Sequence, residues 1–121
     1  MKIVYSKNLN KNQHEAYLNE IGDYQIYHTE KLLNYYFHTS EIIDKSFFIL
    51  EKDKPLAFAP LGIVKEDKVT TLSFSTVACH TPIISHNMAS QNRRKFYKNL
   101  FSIIYKTGVE NKCKSFEFLW Q

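Results

Sequence analysis

The chain has 121 residues, of which 44% are hydrophobic, 15% aromatic and 23% charged. That supplies a core for one domain without a metal or disulfide staple and excludes a disordered polyelectrolyte. The formal charge of +4 comes mostly from lysines spread along the chain, a solvated surface rather than a basic groove, so nucleic acid is not an expected partner.

Lys2–Tyr5 is short, β-branched and aromatic, and predicts a first strand. The polar run Asn8-Leu9-Asn10-Lys11-Asn12 predicts a turn. Asn12 is the expected cap of a helix over residues 13–19, with Glu15 completing a capping box. Gly22-Asp23 is expected to end it. Thr29 is the next expected cap. Leu32, Leu33, Tyr36 and Phe37 then recur at helical spacing, predicting a second helix over residues 30–38 and a short turn through 41–44. His28 and His38 bracket that helix, and surface or capping roles are expected of both. Tyr24, Tyr27, Tyr35, Tyr36 and Phe37 form an aromatic band expected to pack the helices onto a sheet.

The middle of the chain predicts an antiparallel meander. Residues 46–51 form a strand, and Lys52-Asp53-Lys54-Pro55 a turn. Residues 56–65 form a second strand and residues 69–75 a third, because short connections favour antiparallel neighbours. Leu56, Phe58, Pro60, Gly62 and Val64 alternate with Ala57, Ala59, Leu61 and Ile63, so both faces of the second strand are apolar and it should be covered on both sides. Pro60 and Gly62 predict a bend near its middle.

Residues 76–84 read as an apolar, turn-rich connection. A long helix is predicted over Ser90–Glu110, with Phe96, Leu100, Ile103, Ile104 and Thr107 as its apolar stripe. Residues 115–120 alternate and read as a last strand, and the preceding helix permits a parallel return crossover.

The cysteines are Cys79 and Cys113, and two thiols beside an adequate core suit a reducing, cytoplasmic setting. No secretory leader is read from the first residues, and no run of ~18 apolar residues marks a membrane span.

Cys79, His80 and His86 form a Cys-His…His cluster. A structural zinc site needs four ligands, and no second cluster supplies the remainder. Adjacent residues of an extended segment point to opposite sides, which separates Cys79 from His80 as a dyad. Arg93, Arg94 and Lys95 fall in the first turns of the long helix, where cations oppose the helix dipole. With His80 they are the candidate substrate- or anion-binding residues. No catalytic residue and no metal ligand is assigned.

The order β-α-α-β-β-β-α-β resembles the front of the GNAT N-acyltransferase fold, a mixed, mainly antiparallel α+β sheet with helices on both faces. The wording from Phe47-Phe48-Ile49-Leu50-Glu51 through Lys52-Asp53-Lys54-Pro55 into Ala59-Pro60-Leu61 is similar to the first domain of FemAB-like acyltransferases. The segment His80-Thr81-Pro82 fits the same pattern. The resemblance implies acyl or aminoacyl transfer to an amine, with acyl-CoA or aminoacyl-tRNA as donor. It also implies a further C-terminal domain, or a homodimer partner joined through the last strand.

The chain departs from that pattern at one place. The CoA-binding turn of such enzymes is rich in glycine, because backbone must approach a pyrophosphate closely. The glycines here are Gly22, Gly62 and Gly108, none of them in residues 76–90. The chain is therefore expected to hold no cofactor by itself and to be the N-terminal portion of a transferase that is not catalytically complete alone. The alternative is a non-catalytic α+β binding or dimerisation module.

Overall fold

The computed structural model describes residues 1–22, 24, 28–31, 33, 42–66, 69–73, 82–85 and 88–117. Local chemistry explains where its elements start and stop. Strand β1 (Lys2–Tyr5) runs into a 3-10 turn at Ser6–Asn8. Asn10 then caps helix α1 (Lys11–Ile21): its Oδ1 accepts the Gln13 N–H at 2.8 Å, and Gln13 Oε1 accepts the Asn10 N–H at 3.0 Å. This capping box lies two residues earlier than the expected pair Asn12 and Glu15, because the chain turns at Ser6–Asn8 and is ready for a helix by Asn10. Glu15 bonds elsewhere, its carboxylate accepting the Glu30 N–H at 3.1 Å. Gly22 ends α1 at φ 78°, a left-handed conformation natural to glycine.

Glu30, Lys31 and Leu33 have helical backbone. The Leu33 N–H donates to the Thr29 carbonyl at 3.1 Å, which puts Thr29 where a cap was expected. The rest of the predicted second helix, with Tyr35, Tyr36, Phe37 and His38, lies outside the described residues, as does Tyr27.

Among the described residues, eight strands follow the chain as β1, β2 (Ile43–Asp44), β3 (Phe47–Glu51), β4 (Lys54–Ala59), β5 (Gly62–Glu66), β6 (Val69–Ser73), β7 (Ile83–Ile84) and β8 (Ser115–Glu117). They form two four-stranded sheets, ordered β1-β3-β4-β7 and β2-β5-β6-β8. The pairings are antiparallel except β6 with β8, which is parallel. Helix α2 (Ser90–Glu110) lies between β7 and β8, with the predicted bounds.

Four expectations about the strands are corrected. Lys54 and Pro55, expected in the turn, pair with Glu51 and Leu50 of β3. Residues 43–44 were expected in a short turn but pair with Ile63 and Gly62 of β5, a long-range partner that overrides local pattern. Ile83 and Ile84, expected in a connection, pair with Phe58 and Ala57 of β4. The expected second strand is broken into β4 and β5, which enter different sheets.

The break is chemically patched. Where the chain leaves β4 at Pro60, the Leu61 N–H donates to Ser46 Oγ at 3.0 Å, and that hydroxyl donates to the Leu61 carbonyl at 3.4 Å. The Lys45 N–H reaches the same carbonyl at 2.9 Å. The Ser46 hydroxyl thus serves buried backbone groups that the bend takes out of the ladder. The ribbon of residues 43–51 against 54–63 stays continuous while it kinks.

The core has two halves. On one side Phe47, Ile49, Ala57, Ala59, Leu61 and Ile63 pack with Phe96, Leu100 and Ile104 of α2. On the other, Phe48, Leu50 and Phe58 pack with Leu18 and Ile21 of α1 and with Leu33. Small side chains at Ala57 and Ala59 face α2, so the larger Phe and Leu residues of the helix can fill that layer. The expected two-sided covering of residues 57–63 is present, since all are buried. Leu56 joins the Ala57 side instead of the Phe58 side, because the β3–β4 register shifts between Ile49 and Leu50.

The β3–β4 hairpin closes through two residues, Lys52 at φ 50° and Asp53 at φ 65°. Two successive left-handed residues suit the twist of a tight hairpin but favour Asn-Gly. Changing Lys52-Asp53 to Asn-Gly is expected to raise stability by about 0.5–1.5 kcal/mol. Urea denaturation checks this, and a fall in the midpoint would contradict the turn assignment.

Candidate functional site

The strongest cluster of chemistry lies where the 3-10 turn, α1 and the residues before Glu30 meet. Ser6 Oγ lies 2.8 Å from His14 Nδ1, and His14 Nε2 lies 2.8 Å from the His28 carbonyl oxygen. A carbonyl can only accept, so Nε2 carries the proton and Nδ1 is bare. The Ser6 hydroxyl therefore donates to Nδ1. The chain of contacts is serine O–H to imidazole, and imidazole N–H to carbonyl.

His14 is fully buried. The edges of Phe48 and Phe58 pack about its ring, with centroids at 5.1 and 5.2 Å. Burial lowers its pKa below the ordinary value of 6.5; the bond to the His28 backbone and the carboxylates of Glu15, Glu30 and Asp44 pull the other way. The ring is held neutral, and those acids face it with charge that would favour an imidazolium.

Ser6 also lines a small polar pocket of about 160 Å³ with Lys7, Leu9, Glu30, Leu33 and Asp44. Burial raises the Asp44 pKa; hydrogen bonds from Ser46, and the charges of Lys7 and His14, oppose the rise. The Ser46 N–H donates to Asp44 Oδ1 at 2.8 Å, which fixes that carboxylate beside the pocket. Lys7 sits 6.0 Å from the centre of the Tyr5 ring and is the cation of this pocket.

Neither Ser6 nor His14 stood out in the sequence. Their spacing matches no motif, and only the intervening turn and first helical turn bring them together. His28, expected at the surface or in a cap, is 2% exposed and packs against Phe58 at 6.2 Å. Its carbonyl orients His14.

The basic cluster is divided between two surfaces. Arg93 is half-buried and folds back along α2: its Nε donates to the Met88 carbonyl at 3.0 Å and its guanidinium to the Ser85 carbonyl at 3.3 Å. Arg93 and Arg94 both line an open groove on α2, with Tyr97, Lys98, Phe101 and Tyr105. Lys95 lies on another side with Met1, Glu51 and Asn92. Neighbouring helical residues are turned about 100° from each other, and Lys95 lies apart from the groove that Arg93 and Arg94 share. His80, with Cys79 and His86, lies outside the described residues. Cys113 is partly buried, and burial pushes its thiol pKa up, away from reactivity.

Among the described residues no group of three or more His, Cys, Asp or Glu is placed to hold a metal, and no helix is long and apolar enough to cross a membrane. Comparisons with protein-family models, curated proteins and solved structures returned no match.

Proposed function

We propose that this chain is the N-terminal portion of a FemAB- or GNAT-like N-acyltransferase, and that it serves as the scaffold for acyl or aminoacyl transfer to an amine. The observation that supports this reading best is the β6–β8 pair. An antiparallel meander passes through helix α2 and returns as a parallel strand, with Thr71, Leu72 and Ser73 opposite Ser115, Phe116 and Glu117. Helices packed on opposite sides of the β3–β4 ribbon fit the same scaffold.

The donor, acyl-CoA or aminoacyl-tRNA, is held mainly outside this chain. No glycine lies between residues 76 and 90 to let backbone approach a pyrophosphate. Calorimetric titration of the 121-residue chain with acetyl-CoA is expected to give no stoichiometric binding. The wider test is the product of the whole reading frame assayed with an amine acceptor and each donor class. Acylated amine from either donor supports the reading, and turnover of neither removes it.

A second reading rests on β8, which stands at the end of its sheet among the described residues. An open edge strand can pair with a second copy, making the chain a non-catalytic dimerisation module. A molecular mass by light scattering that stays monomeric at every concentration would exclude that module.

A further inference from the structure

We propose that Ser6 is a nucleophile, activated by His14, that accepts a short acyl group from an activated carboxylic ester or thioester. Both residues belong to the first helix and its flanking turns, so this activity stands or falls independently of the transferase reading. Three observations carry it.

The first is the direction of the hydrogen bonds. A serine hydroxyl is a poor nucleophile unless a base takes its proton as it attacks. Here the base is in contact at 2.8 Å, and its free nitrogen faces the hydroxyl because the other nitrogen is committed to a carbonyl. The imidazole is thereby held in the required tautomer and orientation, as a third group does in other nucleophile–base pairs.

The second is the setting of the base. His14 is fully buried between Phe48 and Phe58 and stays neutral at physiological pH, ready to accept a proton. Once it does, Glu15 from its own helix and Glu30 and Asp44 from the elements packed against it favour the cation. A neutral resting base with acids nearby lowers the barrier to proton transfer without storing a charge beforehand.

The third is an adjoining pocket. Ser6 is 7% exposed and lines the pocket it shares with Lys7, Glu30 and Asp44, about 160 Å³ in volume. At roughly 30 Å³ per water, that is the room of about five waters. It has room for an acetyl-sized group. Lys7 is the cation among the residues lining the pocket, and its charge also acts on Asp44.

The step balances without a further reactant. Ser6 Oγ bonds to the acyl carbon while its proton passes to His14 Nδ1. The bond from that carbon to the leaving oxygen or sulfur breaks, and the leaving group departs with the proton from His14. The products are an ester on Ser6 and a free alcohol or thiol, and His14 is neutral again.

The test uses the intact chain and p-nitrophenyl acetate. Peptide mass spectrometry is expected to place an acetyl group on Ser6 that hydroxylamine removes, as it does an ester but not a lysine amide. Ser6→Ala should lose that adduct and keep any lysine acetylation. Ser6→Cys should become acylated as a thioester. His14→Gln should slow the Ser6 reaction by about 100-fold or more. Circular dichroism confirms that each variant is folded; if His14→Gln is not, wild type against Ser6→Ala decides the matter. Acetylation confined to lysines, or a hydroxylamine-labile adduct that survives in Ser6→Ala, would overturn the proposal.

Discussion

Phe58→Ala is expected to lower stability by about 3–5 kcal/mol, the cost of emptying a closely packed aromatic site. Phe58 is fully buried in β4, an interior strand of its sheet. Its ring lies 4.5 Å from Phe48, 5.2 Å from His14 and 6.2 Å from His28. Truncation removes apolar burial and also opens a cavity that three rings from three segments cannot refill without moving. The midpoint of urea denaturation measures the loss. Val109→Ala, on a residue 55% exposed, is the control and should change stability by no more than about 0.5 kcal/mol. Equal effects at the two sites would contradict the assignment of the core.

His14→Phe is expected to cost about 2–4 kcal/mol at pH 7.5, although phenylalanine can occupy the apolar cage. The cost arises because the Ser6 hydroxyl and the His28 carbonyl both lose their partner. The same variant should alter the response to acid. In the folded chain His14 has a pKa below 6.5, so the unfolded state binds more protons between that lowered value and 6.5. Its contribution is full above pH 6.5 and is lost as the pH falls through the window towards the folded value. Asp44 has the opposite sign: its pKa is raised above 3.8, so its contribution is full below pH 3.8 and lost as pH rises through the folded value. The His14 contribution should therefore weaken wild type as the pH is lowered from 6.5, and His14→Phe should lack that part of the slope. Denaturation midpoints at pH 7.5, 6.5 and 5.5 test this, and identical slopes would show that His14 does not titrate as a buried neutral base.

Much of the scaffold was legible because it depends on residues close in sequence. Phe96, Leu100, Ile103, Ile104 and Thr107 repeat at helical spacing, and the stripe they predict is the one that packs against the sheet. The short turns around Lys52-Asp53 and after Glu66 announced antiparallel neighbours. A helix before the last strand permitted the parallel return that is found.

Other features depend on a partner far along the chain. Pro60 signalled a bend, but the transfer of the ribbon between sheets relies on the hydroxyl of Ser46 across the hairpin. Several asparagines could have capped α1, and the Ser6–Asn8 turn selects Asn10. Ser6 and His14 carried no signal, since serine and histidine eight residues apart usually have nothing to do with each other. Of the adjacent Arg93, Arg94 and Lys95, the first two share a groove on α2 and the third lies apart.

The kinked ribbon has a consequence for how the molecule comes apart. One continuous length of chain supplies β2 and β3, and its antiparallel partner supplies β4 and β5, so each sheet borrows half of the same ribbon. The Ser46 clasp ties the two pairings at their junction, so loss of the ribbon pairing in one sheet is expected to weaken it in the other. The two core halves are thus coupled through backbone into a single cooperative unit. Damage on the α1 side, as in Phe58→Ala, should be felt on the α2 side as one shared transition.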